Sequence, residues 1–120
     1  MLAAHPNDPQ DYSSLSWFAV LSKQVKKAEE YSRKGLNLQT EDVNVLAKVT
    51  RGELKMNLGH SLLLQNRTTE ALENYRQAIS LGINQKVFEE GFRFLNLIYA
   101  DQKNLITSVS AELFPDLRRN

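Results

Sequence analysis

The sequence predicts an all-α protein of about six helices, and three observations support this fold class. Proline and glycine are scarce, at 3 and 5 of 120 residues, and the alternating apolar and polar runs typical of strands are missing. Apolar residues recur at intervals of three and four, which is the spacing of a helix with one buried face. Short polar segments separate these stretches. We therefore expect antiparallel helical hairpins joined by short turns.

The first predicted helix covers residues 11–21 and begins after a turn marked by Pro9. Leu15, Phe18 and Leu21 lie on one side of this helix. Because apolar residues at this spacing usually face a protein interior, we expect that side to pack against the core.

The second predicted helix covers residues 25–38, after a polar break at residues 22–24. Its inward-facing residues are Ala28, Tyr31, Gly35 and Leu36. The opposite side is charged, and Glu30 and Lys34 stand four positions apart with the acid first. This order favours an ion pair that supports the helix.

The third predicted helix is long and runs from Thr40, a suitable N-cap, to about residue 64. Its apolar stripe consists of Val43, Leu46, Leu54, Leu58 and Leu62. A turn at residues 65–68 precedes the fourth helix, residues 69–81. Asn66 suits a left-handed turn position, and Gly82 suits the left-handed position that ends a helix.

The fifth and sixth predicted helices cover residues 85–99 and 104–114, and Pro115 ends the second of them. The fifth helix is unusually rich in large apolar residues, namely Phe88, Phe92, Phe94, Leu97 and Ile98. One helix cannot bury all of these against a single neighbour. We therefore expect part of this helix to form an exposed apolar patch, which indicates an interface.

The composition excludes several classes of function. Lys and Arg number 15 against 14 Asp and Glu, and this net charge of +1 argues against a surface for nucleic acid or anionic membrane, which normally has a concentrated basic excess. There is no cysteine for a disulfide, a thiol nucleophile or a cysteine-based metal site. We expect no membrane insertion, since no run reaches about 18 apolar residues. The first residues do not resemble a signal peptide, which favours the cytoplasm without fixing the compartment.

The residues that carry chemistry in enzymes are not arranged for catalysis. Of the two histidines, His5 lies near the start, and His60 has no second histidine or cysteine placed to share a metal with it. Neighbouring acids such as Glu29 and Glu30 diverge by about 100° on a helix, so they cannot act as a paired acid and base. No phosphate-binding glycine loop or serine elbow occurs. We therefore expect no enzyme activity, no cofactor and no metal.

Small and large apolar residues stand at fixed offsets along two consecutive predicted helices. In the clearest unit they are Leu58, Gly59, Ala71, Tyr75 and Ala78, and upstream they are Tyr12, Leu15, Ala28 and Gly35. This spacing resembles the tetratricopeptide repeat, a helix–turn–helix unit of about 34 residues. The resemblance implies hairpins stacked as a right-handed superhelix, in which the small residues let neighbouring helices approach closely.

The resemblance implies a single repeat domain over residues 1–120. Its parts are a repeat at 9–42, an insertion or helix extension at 43–51, a repeat at 52–85 and a divergent or capping hairpin at 86–114. The insertion is needed because Ala28 and Ala71, which take the same position in the two repeats, stand 43 positions apart, whereas one repeat has about 34 residues. The residues before Pro9 match the end of a further unit, so we expect the chain to be a piece of a longer protein.

Repeats of this family bind other proteins, so the resemblance implies a non-enzymatic module that holds a peptide or partner protein on a concave surface. The residues at groove positions are Trp17, Asn57, His60 and Leu63. This mostly apolar set suits an apolar or helical segment. Two alternatives stay open: His60 is also suited to packing, and a neighbouring helix is equally able to cover Trp17. The second interpretation of function is a structural, self-associating or regulatory segment of a larger multidomain protein. The high density of large apolar residues in the fifth helix favours this second interpretation.

Overall fold

The all-α prediction is confirmed by the computed structural model, which describes residues 8–38 and 45–115. Within these ranges the chain forms six α-helices and one short 3₁₀ turn. They are α1 (Pro9–Leu21), α2 (Val25–Asn37), α3 (Val45–Leu63), α4 (Thr68–Ser80), α5 (Gln85–Ile98), the 3₁₀ turn (Ala100–Gln102) and α6 (Lys103–Leu113). The predicted N-cap at Thr40 lies outside the described residues. Stacking of the hairpins into a right-handed superhelix stays a prediction.

Local residue chemistry explains where several helices begin and end. Asp8 caps α1 by accepting a hydrogen bond from the backbone N–H of Gln10, and Asn84 caps α5 in the same way. The predicted left-handed positions are confirmed, since φ is +105° at Gly82 and 64° at Asn66. These two residues turn the chain after α4 and after α3.

Most helices pack on a neighbour in sequence, and some also pack across an intervening helix. Helix α1 packs on α2 and α3, α3 also packs on α2 and α4, and α6 packs on α4 and α5. The core between them is closed by small residues. A Cβ on Gly59 would lie 2.6 Å from the ring of Tyr75, so α3 and α4 touch only because this residue has no side chain. Ala28, Ala71 and Ala78 are fully buried in the same way.

The prediction for the buried side of α1 is wrong. Phe18 is 69% exposed, and Leu15 and Leu21 are only partly buried. The buried residues of α1 are instead Ser13, Ser16, Ala19 and Val20. Small side chains at these positions let α1 approach α3 closely, and the approach allows hydrogen bonds between the two helices.

An ion-pair network joins α2 to the turn before α4. Arg67 lies 3.1 Å from Glu29 and 3.0 Å from Glu70. Partial burial raises the pKa of Glu29, but hydrogen bonds from Gln65 and Arg33 and the charge of Arg67 outweigh it, so the pKa is lowered. The network therefore holds the first and second hairpins together most firmly while Glu29 is ionised.

The predicted pair of Glu30 and Lys34 on α2 is confirmed, with nitrogen and oxygen 3.8 Å apart. Both side chains are about half exposed, so the pair contributes little to stability.

Candidate functional site

Asn57, one of the four residues predicted to line a groove, is buried between α3 and α1. Its side-chain amide donates hydrogen bonds to the backbone carbonyl of Ser13, at 3.1 Å, and to the hydroxyl oxygen of Ser16, at 3.0 Å. Leu63, another of the four, is completely buried in the core. Neither side chain has exposed surface with which to contact a partner.

His60 is also completely buried. Its Nδ1 lies 2.7 Å from the hydroxyl of Tyr75, while its Nε2 has no hydrogen-bond partner. The ring is surrounded by the aromatic rings of Trp17, Tyr75 and Phe92, with centroid distances of 5.8, 5.3 and 5.7 Å. Burial lowers the pKa of His60 to about 3, and burial raises the pKa of Tyr75. His60 is therefore a neutral packing residue at neutral pH.

Helices α1 and α5 close over the part of α3 that was expected to line an open groove. Gly91 of α5 lies against His60, and Phe94 of α5 meets Trp17 of α1 edge-on, with ring centroids 6.1 Å apart. This closure is the physical reason why Asn57 and His60 are interior residues. Partner binding by the four residues stays a prediction, and in this structure Trp17 is the one with exposed surface.

Trp17 and three residues outside the predicted groove set form an exposed apolar surface on α1 and α5. We call Trp17, Phe18, Phe94 and Leu97 the α1–α5 surface. Phe18, Phe94 and Leu97 are 69%, 43% and 73% exposed, and Trp17 is partly buried. The expectation that α5 cannot bury all its large apolar residues is confirmed, since Phe88 and Phe92 are buried while Phe94 and Leu97 are not.

One contact and the geometry of the two helices connect the four residues of the α1–α5 surface. Trp17 and Phe94 are in contact, and they join the two helices. Leu97 stands three positions after Phe94, so both lie on the same side of α5. Phe18 follows Trp17 and lies about 100° further round α1. The surface therefore crosses from α5 over Trp17 to the outer side of α1.

Helix α1 has an inverted distribution of side chains. Its buried side carries two serines, an alanine and Val20, whereas its outer side carries the exposed Phe18 and the partly buried Leu15 and Leu21. Asp11 is its single charged residue. A helix that is apolar on the side facing water normally packs against another element.

A groove of about 420 Å³ lies between α5 and α6, and Leu97 of the α1–α5 surface is one of its lining residues. Arg93, Asn96 and Lys103 are among its polar lining residues, and Phe92 lies among its apolar ones. The buried Oδ1 of Asn96 has no hydrogen-bond donor. The groove therefore borders the α1–α5 surface with groups that form hydrogen bonds and ion pairs.

The described residues contain no group of three or more side chains that could hold a metal ion. In the same part of the chain, no helix is both long and apolar enough to cross a membrane. The α1–α5 surface can bury apolar surface of a partner, and the groove beside it can form hydrogen bonds.

Comparison of the chain with protein-family models, with curated proteins and with solved structures finds no match. The tetratricopeptide resemblance therefore stays a prediction from residue spacing.

Sequence reasoning missed the pairing of His60 with Tyr75 and the close approach of Gly91. It also missed Phe18 as an exposed residue. The signal for Phe18 was available, because small residues recur at Ser13, Ser16 and Ala19 at helical spacing on another side of α1. A face of small residues is typical of close helix packing.

Proposed function

We propose that this chain is a non-enzymatic helical module that binds an apolar, helical segment of a partner protein across the α1–α5 surface. The observation that carries this proposal is the exposure of Phe18, Phe94 and Leu97 on two adjacent helices beside the partly buried Trp17. Exposed apolar side chains grouped in this way are typical of interaction sites. The tetratricopeptide-like spacing supports the same function by analogy.

The energetics favour an apolar partner. Covering a large apolar side chain contributes about 1.5–3 kcal/mol, so Phe18 and Leu97 are the main candidates for strong contributions to affinity. Trp17 already rests on Phe94, which means that its ring is held in place before a partner arrives. Preorganised side chains lose less conformational entropy on binding.

On the α1 side, the surroundings of the surface favour an uncharged helix rather than a charged peptide, whereas the α5 side includes the exposed ion pair of Glu90 and Arg93. The outer side of α1 is apolar and polar but nearly uncharged, with Asp11 as the single charge of that helix. A partner that matches it needs an uncharged apolar face, as an amphipathic helix has. Side chains in the groove beyond Leu97 can bond polar groups at the edge of that helix.

The first test compares capture of proteins from the source cell by the wild-type chain and by a Phe18→Asp/Leu97→Asp double variant. The matched control is Val49→Asp, which changes an apolar residue of α3 that is 37% exposed and lies outside the α1–α5 surface. All three proteins should have the same circular dichroism spectrum. We expect a partner that binds the wild type and the control but not the double variant.

A captured partner is then purified, and binding of its helical segment is measured by calorimetry. Tenfold or greater loss of affinity in the double variant supports the proposal, and equal affinity for all three proteins refutes it. The alternative function, self-association, predicts a different result. In that case the mass of the wild type in sedimentation rises with concentration, and the double variant stays monomeric.

A further inference from the structure

The side chain of His60 lies at the joint between the α5–α6 hairpin and the remainder of the described chain. A Cβ on Gly91 would lie 3.2 Å from His60 Nε2, so the backbone of α5 covers this nitrogen directly. Phe92 of α5 stands edge-on to both His60 and Tyr75, with centroid distances of 5.7 and 5.4 Å. The hairpin therefore docks on the unpartnered side of the imidazole.

The groups that face the ring from each neighbouring helix are uncharged at neutral pH. Helix α1 presents Trp17, α4 presents the Tyr75 hydroxyl, and α5 presents Gly91 and Phe92. Tyr75 is the one titratable group among them, and it is neutral at and below neutral pH. Among the described residues no carboxylate contacts the ring, and burial alone accounts for the lowered pKa of His60.

In the neutral imidazole, one ring nitrogen is a donor and the other an acceptor, and Nδ1 bonds the Tyr75 hydroxyl in either tautomer. A second proton makes both nitrogens donors. The proton on Nε2 then points at the backbone of α5, where it has no acceptor. A buried charge with an unsatisfied donor is costly, and water can solvate it only when α5 moves away.

We propose that His60 is an acid-sensitive latch: its protonation releases the α5–α6 hairpin, while the hairpins α1–α2 and α3–α4 stay packed together. The two hairpins that remain are held by contacts that do not involve His60. These are the hydrogen bonds of Asn57 to α1 and the ion pair of Glu29 with Arg67. The inference does not rest on the proposed binding function.

The size of the effect follows from the difference in proton binding between the closed and open forms. The pKa of His60 is about 3 when α5 is docked and close to 6.5 once the ring is solvated. The open form binds more protons, so the closed form has its full stability above pH 6.5 and loses it as the pH falls toward 3. Between pH 7 and pH 5 the opening equilibrium rises by about 25-fold.

Amide hydrogen exchange at pH 7 and pH 5, corrected for the intrinsic effect of pH on exchange, tests this latch. We expect opening at Phe92 and Leu95 of α5 to increase about 25-fold, while opening at Ala28 and Leu58 changes by less than about threefold. No change at α5 refutes the latch. An equal increase at all four positions also refutes it, because it means that the chain unfolds as one unit.

The variant that tests the role of the ring is His60→Asn, which keeps a side chain able to bond Tyr75 but cannot titrate. It should lose the difference between pH 7 and pH 5 at α5. A full 25-fold response in this variant refutes the proposal.

A second measurement does not depend on the folding of that variant. In the His5→Ala background, His60 gives the single histidine signal in an NMR titration. We expect its folded signal to show no titration above pH 5. A midpoint near 6.5 with native shifts refutes the latch.

Discussion

Substitution of Gly59 by alanine is expected to destabilise the protein by about 2 kcal/mol, although alanine is the better helix former by about 1 kcal/mol. Gly59 lies inside α3, where the added methyl group would stand 2.6 Å from two carbon atoms of the Tyr75 ring. Ordinary contacts between carbon atoms are about 3.5–4.0 Å. The ring or the backbone must therefore move by about 1 Å.

The Tyr75 ring has no room for this movement. It is completely buried, its hydroxyl is 2.7 Å from His60, and it stands edge-on to Phe88 and Phe92. Overpacking of such a site costs about 1–3 kcal/mol and occasionally more, which exceeds the gain in helix propensity. For a domain of this size we expect Tm to fall by about 5–10 °C.

Thermal and urea unfolding followed by circular dichroism measure this effect. The matched control is Ser108→Ala, which introduces alanine at an exposed position of α6. This substitution should change the free energy of unfolding by less than about 0.5 kcal/mol. In a Tyr75→Leu background the clash is absent, so Gly59→Ala should become neutral or stabilising. An equal loss of stability in both backgrounds would show that the ring contact is not the cause.

Three further predictions concern stability and are checked by urea unfolding. Asn57→Asp replaces the amide donor with a carboxylate that faces the oxygens of Ser13 and Ser16, so we expect the free energy of unfolding to fall by about 2–3 kcal/mol at pH 7. The loss should shrink in acid, where the carboxyl group is protonated, and an equal loss at all pH values would contradict this reasoning. Gly82→Ala should cost about 1 kcal/mol because φ is +105°, and no loss would show that the turn adapts. Burial raises the pKa of Glu29, but hydrogen bonds and the charge of Arg67 lower it by more, so the pKa is below its usual 4.5. The ionised carboxylate therefore stabilises the protein above pH 4.5, and this contribution is lost as the pH falls below that value. Glu29→Gln should cost about 1 kcal/mol at pH 7, and a cost that persists in acid would show that the charge of Glu29 is not responsible.

The local part of the fold was predictable because helix periodicity and turn chemistry act over a few residues. The boundaries expected for the second and fifth helices differ from the observed ones by one residue, and those of the fourth by one at each end. Gly82 and Asn66 take left-handed backbone angles because glycine and asparagine tolerate them best. These features depend on neighbouring residues alone.

The candidate site was less predictable because it depends on contacts between distant segments. Asn57 bonds the carbonyl of Ser13, 44 positions away, and nothing near either residue indicates this pairing. Burial of His60 depends on α5, since Gly91 lets that helix lie directly on the ring. The family resemblance thus implies a groove position for His60, whereas the closure of α5 over α3 makes it an interior residue.

By itself the sequence determined that the chain is helical, where its helices turn and that α5 has more large apolar residues than it can bury. Periodicity, turn residues and side-chain size are local properties, so they could be read without any partner element. Only the tertiary structure decided which side of α1 is buried and which residues remain exposed. Both sides of α1 could be packed in principle, and the close fit of Ser13 and Ser16 against α3 selected the small side and left Phe18 in water.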